Sequence, residues 1–210
     1  MQKQKIYYLS EYIDYKKENS RENKYYKKKK SNYSKSKNEY DYNKDLMNER
    51  IYRNCYLYVI DGIEIKEGKS YYNIDEINII EKFLKNKLYN YFSLNEKIMT
   101  IGIFSLYESQ LKILKKKFED IKIFKIKVRN INYINKYEKY DIIFISLVRT
   151  SYEEIPSINN FWKIRTLLTL SNYLKFILGN IDFISSNNHL RDLYNDLNNK
   201  NYVLEYNDNG

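Results

Sequence analysis

With 210 residues, 43% of them hydrophobic and 30% charged, the chain is long enough for one domain with a sizeable core and has the composition of an ordinary soluble globular protein. Its net charge of +10 is uneven, because residues 1–54 carry 15 Lys or Arg against 8 acids while the rest carries 22 against 19. One cysteine, Cys55, excludes an internal disulfide, and with a single histidine, His189, it excludes a Cys/His zinc site; no apolar run reaches the length of a membrane span or a signal-peptide core, so a nuclear or cytoplasmic setting without secretion or a membrane partner is expected.

Residues 1–54 are dominated by Lys, Tyr, Asn, Ser and Glu, contain neither Gly nor Pro, and show no sustained apolar period. They read as a disordered, low-complexity basic tail, since there is no core for them to bury. The four lysines Lys27 to Lys30 could serve as a nuclear-import patch, as a nucleic-acid arm, or simply as a solvated insert. The chain has 25 tyrosines and no alanine, which points to a genome rich in A and T. The tyrosine excess is therefore not counted as a stacking array for nucleic acid.

At Cys55 the pattern changes, and residues 55–210 read as one globular domain. Residues 56–60 form a first strand, followed by a turn at Asp61-Gly62. Asn73 and Glu76 have the spacing of a capping box, in which each side chain satisfies a backbone donor of the other. Behind them Ile77, Ile80, Phe83, Leu84 and Leu88 share one face, predicting a helix to about Tyr91. Residues 99–104 then predict a strand, 108–118 a helix and 121–127 a strand. The near-continuous apolar run over residues 141–148 is the pattern of a central strand covered on both faces. Helix, strand, helix and strand follow over residues 161–171, 173–178, 191–197 and 202–204. This alternation predicts an α/β fold with a mostly parallel sheet, strands near Ile101, Ile142 and Ile177, and helices on both faces.

The same segments carry a resemblance. Asp141-Ile-Ile-Phe-Ile-Ser-Leu-Val-Arg-Thr150 is similar to the D-V-I-I-L-S-x-V-R-S of superfamily 1 helicases of the nonsense-mediated-decay helicase and senataxin type. Residues 162–171 follow as the counterpart of R-R-L-N-V-A-L-T-R-A, and Ile177-Leu-Gly-Asn180 as that of I-I-x-G-N. Upstream, Gly68 to Glu76 resembles G-x-S-x-x-N-x-x-E-A, and Ile101 to Gln110 resembles I-G-I-I-T-P-Y-x-x-Q. The resemblance covers about residues 56–205 in order. It implies a RecA-like fold of the P-loop NTPase superfamily, corresponding to the second helicase domain. Single-stranded RNA or DNA would be the partner, along with a separate first helicase domain.

ATP and magnesium are the cofactors of such helicases, but none is expected for this chain alone. The first domain supplies the phosphate loop, its lysine and the magnesium carboxylate, and G-x-x-x-x-G-K-[ST] does not occur in these residues; Gly68-Lys-Ser70 has only its last letters. The second domain's own contributions look altered as well. The family's Q-G-R-E falls on Asn135, Lys136, Tyr137 and Glu138, leaving Glu138 as the one nucleotide-side match, and a backbone that approaches phosphate closely tolerates no side chain where Lys136 stands. T-R-A falls on Thr169, Leu170 and Ser171, so a leucine replaces the arginine finger. Arg165, five residues earlier, lies roughly 140° round the helix from that position. Asn135, Lys136 and Leu170 thus mark degenerate catalytic positions, and the chain alone is expected to be inactive.

On the nucleic-acid side, Ser105, Tyr107 and Gln110 match T-P-Y-x-x-Q. A hydroxyl at a strand end can bond a phosphate, whereas Tyr107 and Gln110 could equally be a helix-start anchor and a helix-face polar group. Arg149 is matched too, and could contact nucleic acid or form a structural ion pair. His189 reads as a surface or capping residue, and no metal site is expected. A non-enzymatic module that binds nucleic acid or protein is the other reading these residues leave open.

Overall fold

Apolar runs alternating with amphipathic stretches become strands and helices in the computed structural model, which describes residues 54–88, 98–151 and 161–205. The chain divides into two units, Met1–Met47 and Asn48–Gly210, and every described residue belongs to the second. The expected tail over residues 1–53 lies outside the described residues. So does the expected helix end near Tyr91.

The elements in chain order are β1 (Cys55–Val59), β2 (Glu64–Glu67), β3 (Ser70–Asn73), α1 (Ile74–Lys82), β4 (Met99–Ser105), α2 (Glu108–Phe118), β5 (Phe124–Asn130), β6 (Tyr140–Ser146), α3 (Phe161–Thr169), β7 (Ser171–Gly179), α4 (Ile181–Ser186), α5 (Asn188–Asn199) and β8 (Val203–Glu205). Six strands form one sheet in the order β5-β4-β6-β7-β1-β8, and every neighbouring pair in it is parallel. The expected strands near Ile101, Ile142 and Ile177 are the adjacent β4, β6 and β7. Register between β4 and β6 is locked at one end by Asp141. Its Oδ2 accepts from both the backbone N and the Oγ1 of Thr100, each at 2.9 Å, and its own N–H donates to Thr100 Oγ1 at 3.1 Å.

β6 is buried along its whole length, because both faces of the sheet are covered. Ile143, Ile145 and Leu147 point to a cluster built with Leu167 and Leu168 of α3, Phe183 of α4 and Leu193 of α5. Phe144 points the other way, stacking on Phe176 at 5.0 Å between ring centroids and meeting Phe83, just past α1, edge-on at 5.6 Å. That second side also carries α2, which packs on β4 and β5.

Some elements depart from the sequence expectations. β5 starts at Phe124 rather than at 121, because residues 119–123 turn the chain out of α2, with the N–H of Ile121 donating to Phe118 O and Lys122 Nζ to Glu119 O. Past Lys82 the expected helix continues as a π-helical segment, Phe83–Leu88. Asp61-Gly62 lies in an irregular link rather than a hydrogen-bonded turn. The antiparallel hairpin of β2 and β3 and the short helix α4 were not anticipated. Gly68, at φ 60°, makes the hairpin's tight turn, a conformation that favours glycine.

Gly102 in β4 is required by close approach. A Cβ there would stand 2.7 Å from Phe104 Cε2 and 2.9 Å from Tyr140 Cδ1, two rings packed edge-on over the strand. Both rings are buried, so neither can swing aside cheaply. Gly102→Ala should therefore destabilise the domain by about 1–3 kcal/mol, more than alanine recovers by restricting the unfolded chain. In urea titrations this would lower the midpoint and leave the slope unchanged.

Candidate functional site

In an open parallel sheet, ligands gather beyond the carboxyl ends of the strands, and the most elaborate polar structure of this domain lies there, past Ser146. Val148 has φ 71°, and the N–H of Arg149 donates to Leu147 O at 2.9 Å, so the chain makes a γ-turn centred on a β-branched residue. Such a conformation is strained and persists only when its surroundings over-determine it. Here they do. The N–H of Val148 donates to Glu76 Oε1 at 2.9 Å, and Asn73 Nδ2 donates to Val148 O at 3.5 Å.

Glu76 is fully buried at the start of α1 and accepts a hydrogen bond from Ser146 Oγ. Ser146 Oγ in turn accepts from Gln110 Nε2 at 2.8 Å, and Gln110 Oε1 accepts the N–H of Asn73 at 2.9 Å. The expected capping box is thus half formed. Asn73 Oδ1 does accept from the N–H groups of Asp75 and Glu76, but the Glu76 carboxyl turns away from the Asn73 N–H to the end of β6, and Gln110 takes its place. Burial pushes the Glu76 carboxyl up to about 8 despite the bonds from Ser146 and Val148. It is therefore mostly protonated at neutral pH.

Ser105 and Gln110, expected to meet nucleic acid, are both fully buried. Ser105 Oγ accepts the N–H of Tyr107 at 3.5 Å, and both ends of the Gln110 amide are engaged within the protein. In this chain they present no surface to a ligand. Tyr107 is half-buried, its ring edge-on to Tyr71 at 5.6 Å, and burial pushes its hydroxyl up to about 12 although Arg149 acts to lower it. Arg149 takes the ion-pair option. Its Nε donates to Glu64 Oε2 at 2.9 Å, the N–H of Thr150 donates to the same oxygen at 2.7 Å, and the guanidinium lies 4.1 Å from the Tyr71 ring centroid. Burial alone would raise the Glu64 carboxyl, but the bonds from Arg149 and Thr150 outweigh it and hold it below the usual range.

The remaining predicted residues converge at the opposite ends of the strands. The loop holding Asn135, Lys136 and Glu138 leads into β6, and Leu170 joins α3 to β7. The two are stitched together by the Tyr140 N–H donating to Leu170 O at 2.9 Å, Lys139 Nζ donating to Thr169 O at 2.8 Å, and Ser171 Oγ donating to Asp141 O at 3.2 Å. Leu170 is 1% exposed, inside the cluster of Leu167, Tyr140 and Ile143. Asn135 Oδ1 accepts the N–H of Tyr137 at 3.0 Å, and Lys136 is exposed with its Nζ 5.1 Å from the Tyr137 ring centroid. Glu138 accepts a short hydrogen bond from Tyr140 Oη and pairs with Lys127 at 3.0 Å; these two, Tyr140 first, hold its carboxyl below the usual range.

Sequence reasoning missed Glu64 and Tyr71 as partners of Arg149, and Ser146 as the partner of Glu76. A hairpin signal was present, since residues 64–67 and 70–73 flank Gly68-Lys69, a two-residue loop with glycine first. Among the described residues no group of three His, Cys, Asp or Glu could hold a metal ion, and no helix is long and apolar enough to cross a membrane.

A six-stranded parallel sheet with helices on both faces, a buried polar network past its central strand and two stitched loops at the other end defines a RecA-like α/β domain of the helicase kind. The family model AAA_12, an AAA domain, matches residues 3–190. The chain belongs to this family, the helicase C-terminal domain of the nonsense-mediated-decay helicase and senataxin type. Its matched range takes in most of the basic tail and every strand of the sheet except β8. No curated protein matches the chain.

The raised Glu76 carboxyl fixes the sign of a pH effect. Between its ordinary value of 4.5 and about 8 the folded state holds a proton that the unfolded state has released. Its contribution to stability is therefore fully present below 4.5, declines as pH rises, and is lost above about 8, with a slope of at most about 1.4 kcal/mol per pH unit. Urea midpoints measured from pH 5 to 8 should fall for the native chain, and Glu76→Gln, which keeps the shape of the neutral acid, should flatten that fall.

Proposed function

We propose that this chain is a second RecA-like domain of superfamily 1 type that has kept the architecture of a helicase domain, engages single-stranded RNA or DNA, and has lost its part in phosphoryl transfer. The observation that carries this reading is Leu170. At the position corresponding to the family's arginine finger stands an apolar side chain 1% exposed, packed into the main core cluster. A guanidinium in that role is typically worth on the order of a thousand-fold or more in turnover, and Leu170 has no charge to bring to a developing anion.

The other residues of that edge do not fit ATP and magnesium either. Lys136 carries a side chain where the family's glycine lets backbone approach phosphate, and Glu138 is committed to Lys127 and Tyr140. A carboxylate so held adds negative charge to the edge rather than relieving it. A first helicase domain remains the implied protein partner there, on the same polypeptide or another. The basic tail supports the nucleic-acid part of the reading, with 15 Lys or Arg in residues 1–54.

The chain should not hydrolyse ATP by itself, and an intact family first domain supplied in trans should show no turnover beyond its own background when this chain is added. A substantial added rate would overturn the reading. Leu170→Arg would force a guanidinium into the apolar cluster, so its expected effect is a loss of several kcal/mol of stability rather than a gain of activity. Parallel urea titration and phosphate-release measurements separate those two effects.

A further inference from the structure

Ser105 and Gln110 are fully buried, so they offer a nucleic acid no surface in the folded domain, whereas a strongly positive surface follows β5. From Glu108 to Lys139 the sequence has ten Lys or Arg against four acids. Among the described residues β5 pairs with β4 alone and is an edge of the sheet. Residues in parallel register share a face, and Lys125, Lys127 and Arg129 stand opposite Thr100, Gly102 and Phe104. The three cations therefore line one side of the strand, roughly 6.6 Å apart at two-residue spacing. That separation is comparable to the spacing of phosphates along an extended single strand.

Helix α2 adds a second row. Lys112, Lys115 and Lys116 are all exposed and lie three and four residues apart, on one face of the helix. The two rows flank the outer edge of β5 from opposite faces of the sheet, and along that edge runs a groove of about 690 Å³ lined by Lys115, Lys116, Lys125, Lys127 and Arg129 and one acid, Glu119, over an apolar strip. Lys127 pairs with Glu138. Among the described residues Lys115, Lys116 and Lys125 make no ion pair, so their charge is available to a ligand.

Two kinds of occupant suit a strand edge, a further β-strand or a polyanion, and the lysines decide between them. Lysines along an edge discourage the approach of another strand, whereas rows of point charges match a phosphate backbone without reading its bases. We infer that the groove between α2 and the outer edge of β5 is a sequence-independent seat for the backbone of single-stranded nucleic acid, an inference that rests on the nucleic-acid reading above.

The test uses the full chain, fluorescein-labelled oligo-dT and oligo-U, and fluorescence anisotropy over a salt series. Lys115→Gln/Lys116→Gln/Lys125→Gln should weaken binding roughly tenfold or more at low salt, and reduce the slope of log affinity against log salt by about 2, at about 0.7 per lost phosphate contact. A control, Lys66→Gln/Lys69→Gln in the β2–β3 hairpin, should leave both unchanged. Wild-type affinity and slope in the triple variant, with binding lost on replacing Lys27 to Lys30 by Gln, would overturn the seat while leaving the nucleic-acid reading standing. Failure of the native chain to bind either oligonucleotide at low salt would sink both. Equal affinity for a polyglutamate peptide of the same charge would overturn the seat in favour of an acidic protein segment.

Discussion

The buried carboxyl of Glu76 is the constraint on which the carboxyl end of this sheet depends. It reaches from the first turn of α1 to Ser146 and Val148 at the end of β6, and Gln110 from α2 closes the circuit through Ser146 and Asn73. Two helices and the central strand are thereby tied at one point. A network of this kind specifies one arrangement because removing any member leaves a buried donor or acceptor without a partner, at a cost of about 1–3 kcal/mol. The strained turn at Val148 depends on it directly. That turn sets the direction in which Arg149 leaves the strand, and hence its meeting with Glu64 and Tyr71 on the hairpin.

How much of this could be read in advance depends on the range of each interaction. β6 was legible because a strand covered on both faces must be apolar throughout, and every one of its residues is buried. β4, α2 and β7 carried equally local signals. Glu76 was misread because Asn-x-x-Glu has a sufficient local explanation, while its actual partner Ser146 lies 70 residues away in sequence and no spacing rule reaches it. The hairpin was obscured because Ile63 and Ile65 are 76% and 41% exposed, so apolar residues there do not mark a buried face. Matching to helicase motifs picked out Ser105 and Gln110, yet a motif match cannot separate a residue that touches a ligand from one that holds the loop beside it. Burial makes that distinction.

The edge that would face a first helicase domain shows how a site can be absorbed into a core. On the reading proposed above, replacing a cleft arginine with leucine exchanges a solvated cation for a side chain whose burial contributes about 1.5–3 kcal/mol. Leu170 sits with Leu167 and Tyr140, and its carbonyl receives the N–H that begins β6. Packing the corner and presenting a charge there are competing demands on one position. The sequence satisfies the first, in keeping with the usual trade between stability and activity.

Charge follows the same logic across the rest of the domain. The cation matched to the helicase motifs, Arg149, is neutralised by Glu64 in an ion pair whose side chains are 7% and 18% exposed. Breaking it to admit a phosphate would first require freeing the guanidinium from its carboxylate in a part-buried pair. Lys115, Lys116 and Lys125 face no such competitor, and at physiological ionic strength an exposed cation acts over about 8 Å, far enough to reach a strand lying in the groove. The cheapest place for this fold to meet a polyanion is therefore a surface assembled by α2 and the edge strand. Arg149, by contrast, is held by the protein's own Glu64.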